Sequence, residues 1–467
     1  MNIKKKKKVL NPLIKERIMD VFKGLKVMKS TNSIEKLIIN NLINMKTNRI
    51  INTIGILILI VTLSSCDKDD SGDIVPIPPG SGDLNLPPLN PQLVAEGKDI
   101  FRYDTFGDET FWTDVLQMNQ VIETAVSPAT ALAVGLKVDA SALPDAVVEA
   151  IQNGEVDLND PQTTLVLLQL NAVVGVQGEV SQNTDGTLKL DRMGITCALC
   201  HSTVDNSFAP GIGSRLDGWP NRDLNPGLII SLSPALDQAT KDVYASWGPG
   251  IYDPRFNHDG LNNPVVIPPA YGLYGLPKAI FTGDGDVEHE PAGPVAYWNR
   301  YVAVTQMHGH GYFADERLDN WIVDYREGDD LVTEKLPALQ AYQFSISAPT
   351  PPAGSFDATA AARGKALFSG KGQCATCHSG PLFTDVIDGG KLHPQSASVA
   401  VDKDYVKRSA TKQWRVTPLK GIWQHPPYFH DGSATTLADV VTRYNQMNNL
   451  GLSNTEKSDL TEYLKSL

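Results

Sequence analysis

Two five-residue strings constrain this chain more than anything else in it: Cys197-Ala198-Leu199-Cys200-His201 and Cys374-Ala375-Thr376-Cys377-His378. C-x-x-C-H is the attachment sequence of c-type haem. Two thiols on one tight turn add across the two vinyl groups of a porphyrin, and the next residue gives an imidazole nitrogen to the iron. The rival readings are a redox pair or half a zinc site. With only 5 cysteines in 467 residues, the same full motif occurring twice favours two covalently bound c-type haems, on His201 and His378. Four of those cysteines belong to the motifs and the fifth is Cys66, so no thiol remains for a structural disulfide.

The N-terminus points to export. Met45 to Arg49 is positively charged, Ile50 to Leu63 is a short apolar run, and Leu63-Ser64-Ser65-Cys66 closes it. The run is too short for a bilayer, which a helix needs ~20 apolar residues to cross. The pattern therefore reads as a lipoprotein signal over 45–66, with Cys66 the lipidated residue. Residues 1–44 then stand before the expected start at Met45 and read as a gene-model extension. Residues 1–65 hold 13 Lys and Arg against 3 Asp and Glu; of the chain's 41 and 53, that leaves 28 against 50. So acidic a body argues against nucleic acid and suits a basic partner. The implied localisation is lipid-anchored in the envelope of a Gram-negative bacterium, facing the periplasm or on the outer-membrane surface.

Residues 67–91 are rich in Pro, Gly and Asp and read as a flexible tether. A first unit spans 92–345, with helical patches at Asp145 to Gln152 and Thr163 to Val173 between turn-rich segments. Residues 346–356, Pro- and Gly-rich, form a linker. Over 357–467 a helix from Asp357 to Phe368 leads into Cys374, and the capping box Ser453-Asn454-Thr455-Glu456 opens a last amphipathic helix. The expected fold is mostly α, with two cytochrome c-like domains, the first enlarged by irregular loops and each wrapped round one haem. The C-terminal stretch resembles a class I cytochrome c domain, in which the first and last helices cross.

A more specific resemblance lies in Thr417-Pro418-Leu419-Lys420-Gly421-Ile422-Trp423-Gln424-His425-Pro426-Pro427-Tyr428-Phe429-His430-Asp431-Gly432-Ser433. It is similar to the "TPLRN…PYFHDGS" segment of the bacterial dihaem cytochrome c peroxidase superfamily, which includes quinone-maturing and rubber-oxygenase branches. The resemblance implies that electrons enter at the C-terminal haem and that peroxide or another small oxidant is reduced at the N-terminal one. In the peroxidases a Met at a fixed distance beyond the histidine matching His430 ligates the C-terminal iron. The same distance from His430 falls on Tyr444, a tyrosine as in the quinone-maturing branch. Tyr444 is thus the candidate sixth ligand, Met447 its rival, and a place in an apolar helix face the plain alternative for Tyr444.

At the N-terminal haem, the histidine that plugs the iron in some relatives is missing after Gly211-Ile212-Gly213, which implies an open iron unless His258, His308 or His310 closes it. Candidate catalytic residues there are Arg215, Gln306, His308 and His310. From the rubber oxygenases come Tyr297-Trp298 and Phe313. Trp219, Trp247 and Trp298 are candidate conduits between the haems, and the loop Asp253 to Asn263 is a candidate calcium site. The expected function is a peroxidase-like oxidoreductase served by a small electron-donor protein such as a cytochrome or cupredoxin. The alternatives are a pure electron carrier and a haem oxygenase.

Overall fold

The computed structural model describes Leu84 and residues 86–467. The expected extension 1–44, signal 45–66, lipidated Cys66 and most of the tether lie outside the described residues. Helices predominate, and the strands are short and paired only two by two. The elements that place the two motifs are helices α1 (Pro91–Tyr103), α2 (Ala198–His201), α3 (Pro294–Thr305), α4 (Leu336–Ser345), α5 (Ala358–Ser369), α6 (Leu437–Met447) and α7 (Asn454–Lys465). With them go strands β1 (Val176–Gln182), β2 (Leu188–Ile195), β3 (Ser202–Val204), β4 (Arg215–Asp217), β5 (Tyr312–Asp315) and β6 (Trp321–Asp324).

The same helix crossing occurs twice. Helix α1 starts where the Asn90 side chain accepts from the Gln92 and Leu93 N–H groups, with Pro91 in the first turn. It crosses α4 at Gly97, where a Cβ would lie 1.9 Å from the Ala338 carbonyl oxygen. One turn on, Phe101 meets Tyr342 edge-on at 5.4 Å. Helix α5, capped by Asp357, crosses α7, opened by the expected Ser453–Glu456 box. Here a Cβ on Gly364 would lie 2.0 Å from the Asp459 carbonyl oxygen, and Phe368 meets Tyr463 at 5.2 Å. Only glycine lets two helix backbones approach this closely.

The two crossings differ in what separates them from the cysteines. Between Gly364 and Cys374 lie only the end of α5 and a tight turn, whereas a long inserted stretch lies between Gly97 and Cys197. That stretch builds its own core around Leu165, Leu168 and Leu190. It contains the antiparallel pair β1–β2, whose last paired residue, Ile195, delivers the chain to Cys197. The expected helix at Asp145–Gln152 is present. The one expected over 163–173 runs from Pro161 to Gln169, because Asp160 caps it and Pro161 fits the first turn.

Three of the expected segments make contacts with the rest of the chain. The tether is anchored before residue 91: Leu89 is buried, and the Tyr274 hydroxyl donates to the Pro87 carbonyl. The linker is clamped, with Gly272 N–H donating to Ile346 and Trp423 Nε1 to Pro349. The C-terminal unit is not self-contained either. Residues 391–416 fold back on the first unit, where Arg415 N–H donates to the Phe281 carbonyl and Thr411 Oγ1 to that of Thr282. Among the described residues, no helix is long and apolar enough to cross a membrane.

Candidate haem sites

The first motif opens on a cavity of about 260 Å³ whose wall includes Cys197, Cys200, His201 and Trp298. Residue 201 closes the one-turn helix α2, and its backbone carbonyl accepts from Gly218 N–H just after β4. The ring is held by Nδ1, 3.0 Å from the Pro268 carbonyl oxygen. That bond makes Nδ1 the protonated nitrogen and leaves Nε2 with a free lone pair, the arrangement of a metal-ligating histidine. Burial lowers the His201 pKa to about 4, so the ring is neutral at pH 7. The second motif repeats the device: His378 Nδ1 lies 3.0 Å from the Phe383 carbonyl oxygen, and burial again lowers its pKa.

Burial pushes the Cys197 and Cys200 thiols up to about 12 and Cys374 up to about 11. A dithiol redox couple needs the opposite shift. The described cysteines form no disulfide.

Arginines test the fit of a porphyrin. Arg415, from the returning segment, is buried in the cavity wall, and its Nε and Nη1 have no hydrogen-bond partner. Arg222, close enough to His201 to act on its charge, also has Nε and Nη1 unpartnered. Burial lowers both guanidinium pKa values to about 10. An unpaired buried cation costs several kcal/mol. A porphyrin carries two carboxylates, so the residues present fit it.

The candidate distal residues separate. Trp298 lines the cavity and stacks on Tyr301 with ring centroids 4.5 Å apart. Gln306 also reaches the wall, but its amide is committed: Nε2 donates to the Pro254 carbonyl, and Oε1 accepts from the Tyr252 hydroxyl at 2.7 Å. Phe313 does not line the cavity; it is 1 % exposed, in the aromatic core with Tyr297, Tyr301 and Trp321. The Tyr297 hydroxyl donates to Asp315 in that same core. Arg215 is likewise away from the wall, paired with Asp139 at 3.2 Å.

None of the plug candidates reaches the cavity. His258 stacks on Trp321 at 4.1 Å, His308 lies between Phe111 and Tyr325, and His310 is near Glu327. Among the described residues His201 is the only histidine in the wall; the other soft donors there are Met118, Met193 and Met307.

Over the second motif, Tyr444 packs in one cluster with Cys374 and Phe429. Burial, helped by the nearby Cys374 and Cys377, pushes its hydroxyl up to about 12. Met447 is 48 % exposed at the end of α6, outside that cluster. His430 belongs to the junction instead, 4.5 Å from the Trp414 ring and within 3.3 Å of Asp402.

Of the candidate tryptophans, Trp219 meets Trp423 of the C-terminal unit edge-on at 5.9 Å. Trp247 is buried in the inserted core, its Nε1 donating to Asn262. The candidate calcium loop holds a different cation. Arg408 donates to both carboxylate oxygens of Asp253 and of Asp259, and to the carbonyls of Leu261 and Asn263. Oxygens gathered round one guanidinium leave no vacant ligand sphere for a metal there.

The fold and the two sites define a helix-rich protein built to carry c-type haem. No family model matches the sequence. The chain is 28% identical to the cytochrome-c peroxidase IdrP1 of Denitromonas iodatirespirans over 149 residues, 23% of this chain and 40% of that protein. It is 28% identical to IdrP2 of the same organism over 22% and 38%. The match thus spans about two fifths of the length of these curated relatives. To the cytochrome-c peroxidase IdrP2 of Pseudomonas sp. strain SCT it is 29% identical over 60% of this chain and 92% of that protein.

The chain is thus similar, at low identity, to proteins named cytochrome-c peroxidases. Among solved structures it is similar over 46% of its length to Kuenenia stuttgartiensis hydrazine synthase (19% identity, 76% of that chain, TM-score 0.32). Over 30% it is similar to a MauG-like protein associated with microbial copper homeostasis (19% identity, 54% of that chain, TM-score 0.22). Superpositions this loose carry no argument about this chain.

The sequence held a signal that the motif reading passes over. Ala95-Glu96-Gly97-Lys98-Asp99-Ile100-Phe101 and Ala362-Arg363-Gly364-Lys365-Ala366-Leu367-Phe368 share one pattern, Ala-x-Gly-Lys-x-x-Phe, and mark the two helix crossings. Arg222, Arg408 and Arg415 carry no such local signature.

Proposed function

We propose that this protein is a peroxidase-like haem oxidoreductase with two c-type haems, working from the cell envelope. The observation that carries the reading is the contrast between its motifs. At the first, His201 faces a cavity with no second histidine in its wall; over the second, a tyrosine side chain packs beside the cysteines.

In this reading Cys197, Cys200 and His201 hold the first haem, and Arg222 and Arg415 neutralise carboxylates on it. Cys374, Cys377 and His378 hold the second, with Tyr444 as the further ligand. When bound, the haems supply one-electron chemistry and an iron able to bind a small oxidant. Pro268 and Phe383 keep each histidine in the tautomer that ligates. Trp298 and the aliphatic wall exclude water from the first cavity. The Trp219–Trp423 contact would offer a path between the units for electrons supplied by a small donor protein such as a cytochrome or cupredoxin.

The test is electron paramagnetic resonance of the ferric holoprotein, followed by stopped-flow mixing with hydrogen peroxide and a reduced cytochrome donor. A high-spin first iron and peroxide-dependent oxidation of the donor support the proposal; two low-spin irons that ignore peroxide overturn it. The three methionines in the cavity wall favour one second reading, a pure electron carrier whose first iron is closed by a thioether. Such a protein gives that overturning result.

A further inference from the structure

A second chamber, of about 290 Å³, adjoins the first cavity. Trp112, Ile230, Tyr252 and Gln306 belong to both walls, so a single layer of side chains separates the two. Its remaining lining combines the rings of Phe111 and Tyr244 with Leu116 and Leu236. Phe111 and Trp112, both in its wall, lie on Thr110–Val115, which is wound as a π-helix, a rare form that gathers at functional sites. His308, in the same wall, holds a left-handed backbone (φ 66°), a strained conformation for a non-glycine residue.

Most of the polar groups around the chamber have partners on the chain. Tyr252 donates to Gln306, whose amide donates to Pro254, and Tyr244 donates to Asn257. His308 is stacked on Phe111 at 3.6 Å and on Tyr325 at 5.0 Å, and neither ring nitrogen has a hydrogen-bond partner among the described residues. Burial lowers its pKa to about 4, so the ring is neutral at pH 7 and one nitrogen is an acceptor. Among the described residues, no acidic or basic side chain other than this imidazole lines the chamber.

We propose that this chamber binds a small neutral aromatic alcohol of the phenol class, its ring among the aromatic walls and its hydroxyl donating to His308. A charged ligand would lose its hydration with no counter-charge in the wall. An aliphatic one would forgo the contacts with the aromatic rings, which add to what burial alone gives. Space is sufficient, since a dry cavity of about 150 Å³ holds benzene. Asn257, exposed to solvent, stands at the rim.

Binding of phenol in this chamber is independent of peroxide chemistry. Calorimetric titration of the ferric holoprotein with phenol and, separately, toluene, without oxidant, should show saturable one-to-one binding with phenol preferred. Leu236→Trp, which fills the chamber, and Asn257→Trp, which blocks its rim and removes the acceptor of the Tyr244 hydroxyl, should each weaken phenol binding at least tenfold at unchanged haem content. His308→Phe should abolish the preference for phenol over toluene. No saturable binding, affinities unchanged in both Trp variants, or a preference that survives His308→Phe would overturn the proposal.

Discussion

The two units begin and end alike and differ in between. Each has a first helix crossing a last one at a glycine, an aromatic pair one turn beyond, and a C-x-x-C-H whose histidine is fixed through Nδ1. In the second unit the motif follows closely on its glycine and sits against a small core centred on Phe368, Leu437 and Tyr463. In the first, the inserted core and the segment returning from the other unit enclose the motif in a cavity. The lesson is that one crossing can stand both beside a small compact core and at the base of a chamber. The inserted residues make the difference.

The largest effect expected is at the attachment residues. Cys197→Ala with Cys200→Ala should halve the haem content by pyridine haemochrome assay and lower peroxide turnover at least a hundredfold. The same pair of changes at Cys374 and Cys377 should halve the haem but leave a high-spin first iron. If either double variant kept both haems, the parallel between the units would fail.

Next come the crossings. Gly364→Val forces a side chain into the Asp459 carbonyl and should destabilise the protein by about 3 kcal/mol or more in denaturant unfolding. Gly97→Val should act in the same sense, and a neutral result at either site would mean the helices do not meet there. A smaller, spectroscopic change is expected of Tyr444→Phe, which should turn the second iron high-spin, while Met447→Ala leaves its spectrum and the stability unchanged within about 0.5 kcal/mol.

The smallest effect concerns pH. His308 has its pKa lowered from 6.5 to about 4 by burial, so between those values the unfolded chain binds a proton that the folded one does not. Its contribution to stability is full above pH 6.5 and falls as pH drops toward 4. Thermal unfolding followed across that window should be less pH-dependent in His308→Phe than in the parent chain.

Local signals made half of this architecture legible. The C-x-x-C-H spacing names its own chemistry, and the Ser453–Glu456 box opens the last helix, because both act within about one turn of backbone. Phe313 misleads for the converse reason. An aromatic at a suggestive spacing is ordinary core material, and only the fold shows Trp298 facing the cavity while Phe313 packs one layer behind. The unpartnered arginines near the first motif lie apart from Cys197 in sequence, Arg222 beyond β4 and Arg415 in the other unit. No local pattern announces Arg415, since its place depends on a long segment folding back across the chain.

Arg408 bears on how the halves stay together. A dissolved ion leaves its ligands whenever its concentration falls or a chelator competes for it, whereas a guanidinium on the chain is always at hand. The seam between the halves should therefore survive EDTA and yield to Arg408→Ala, making its strength a property inherited with the gene and independent of the mineral content of the surroundings.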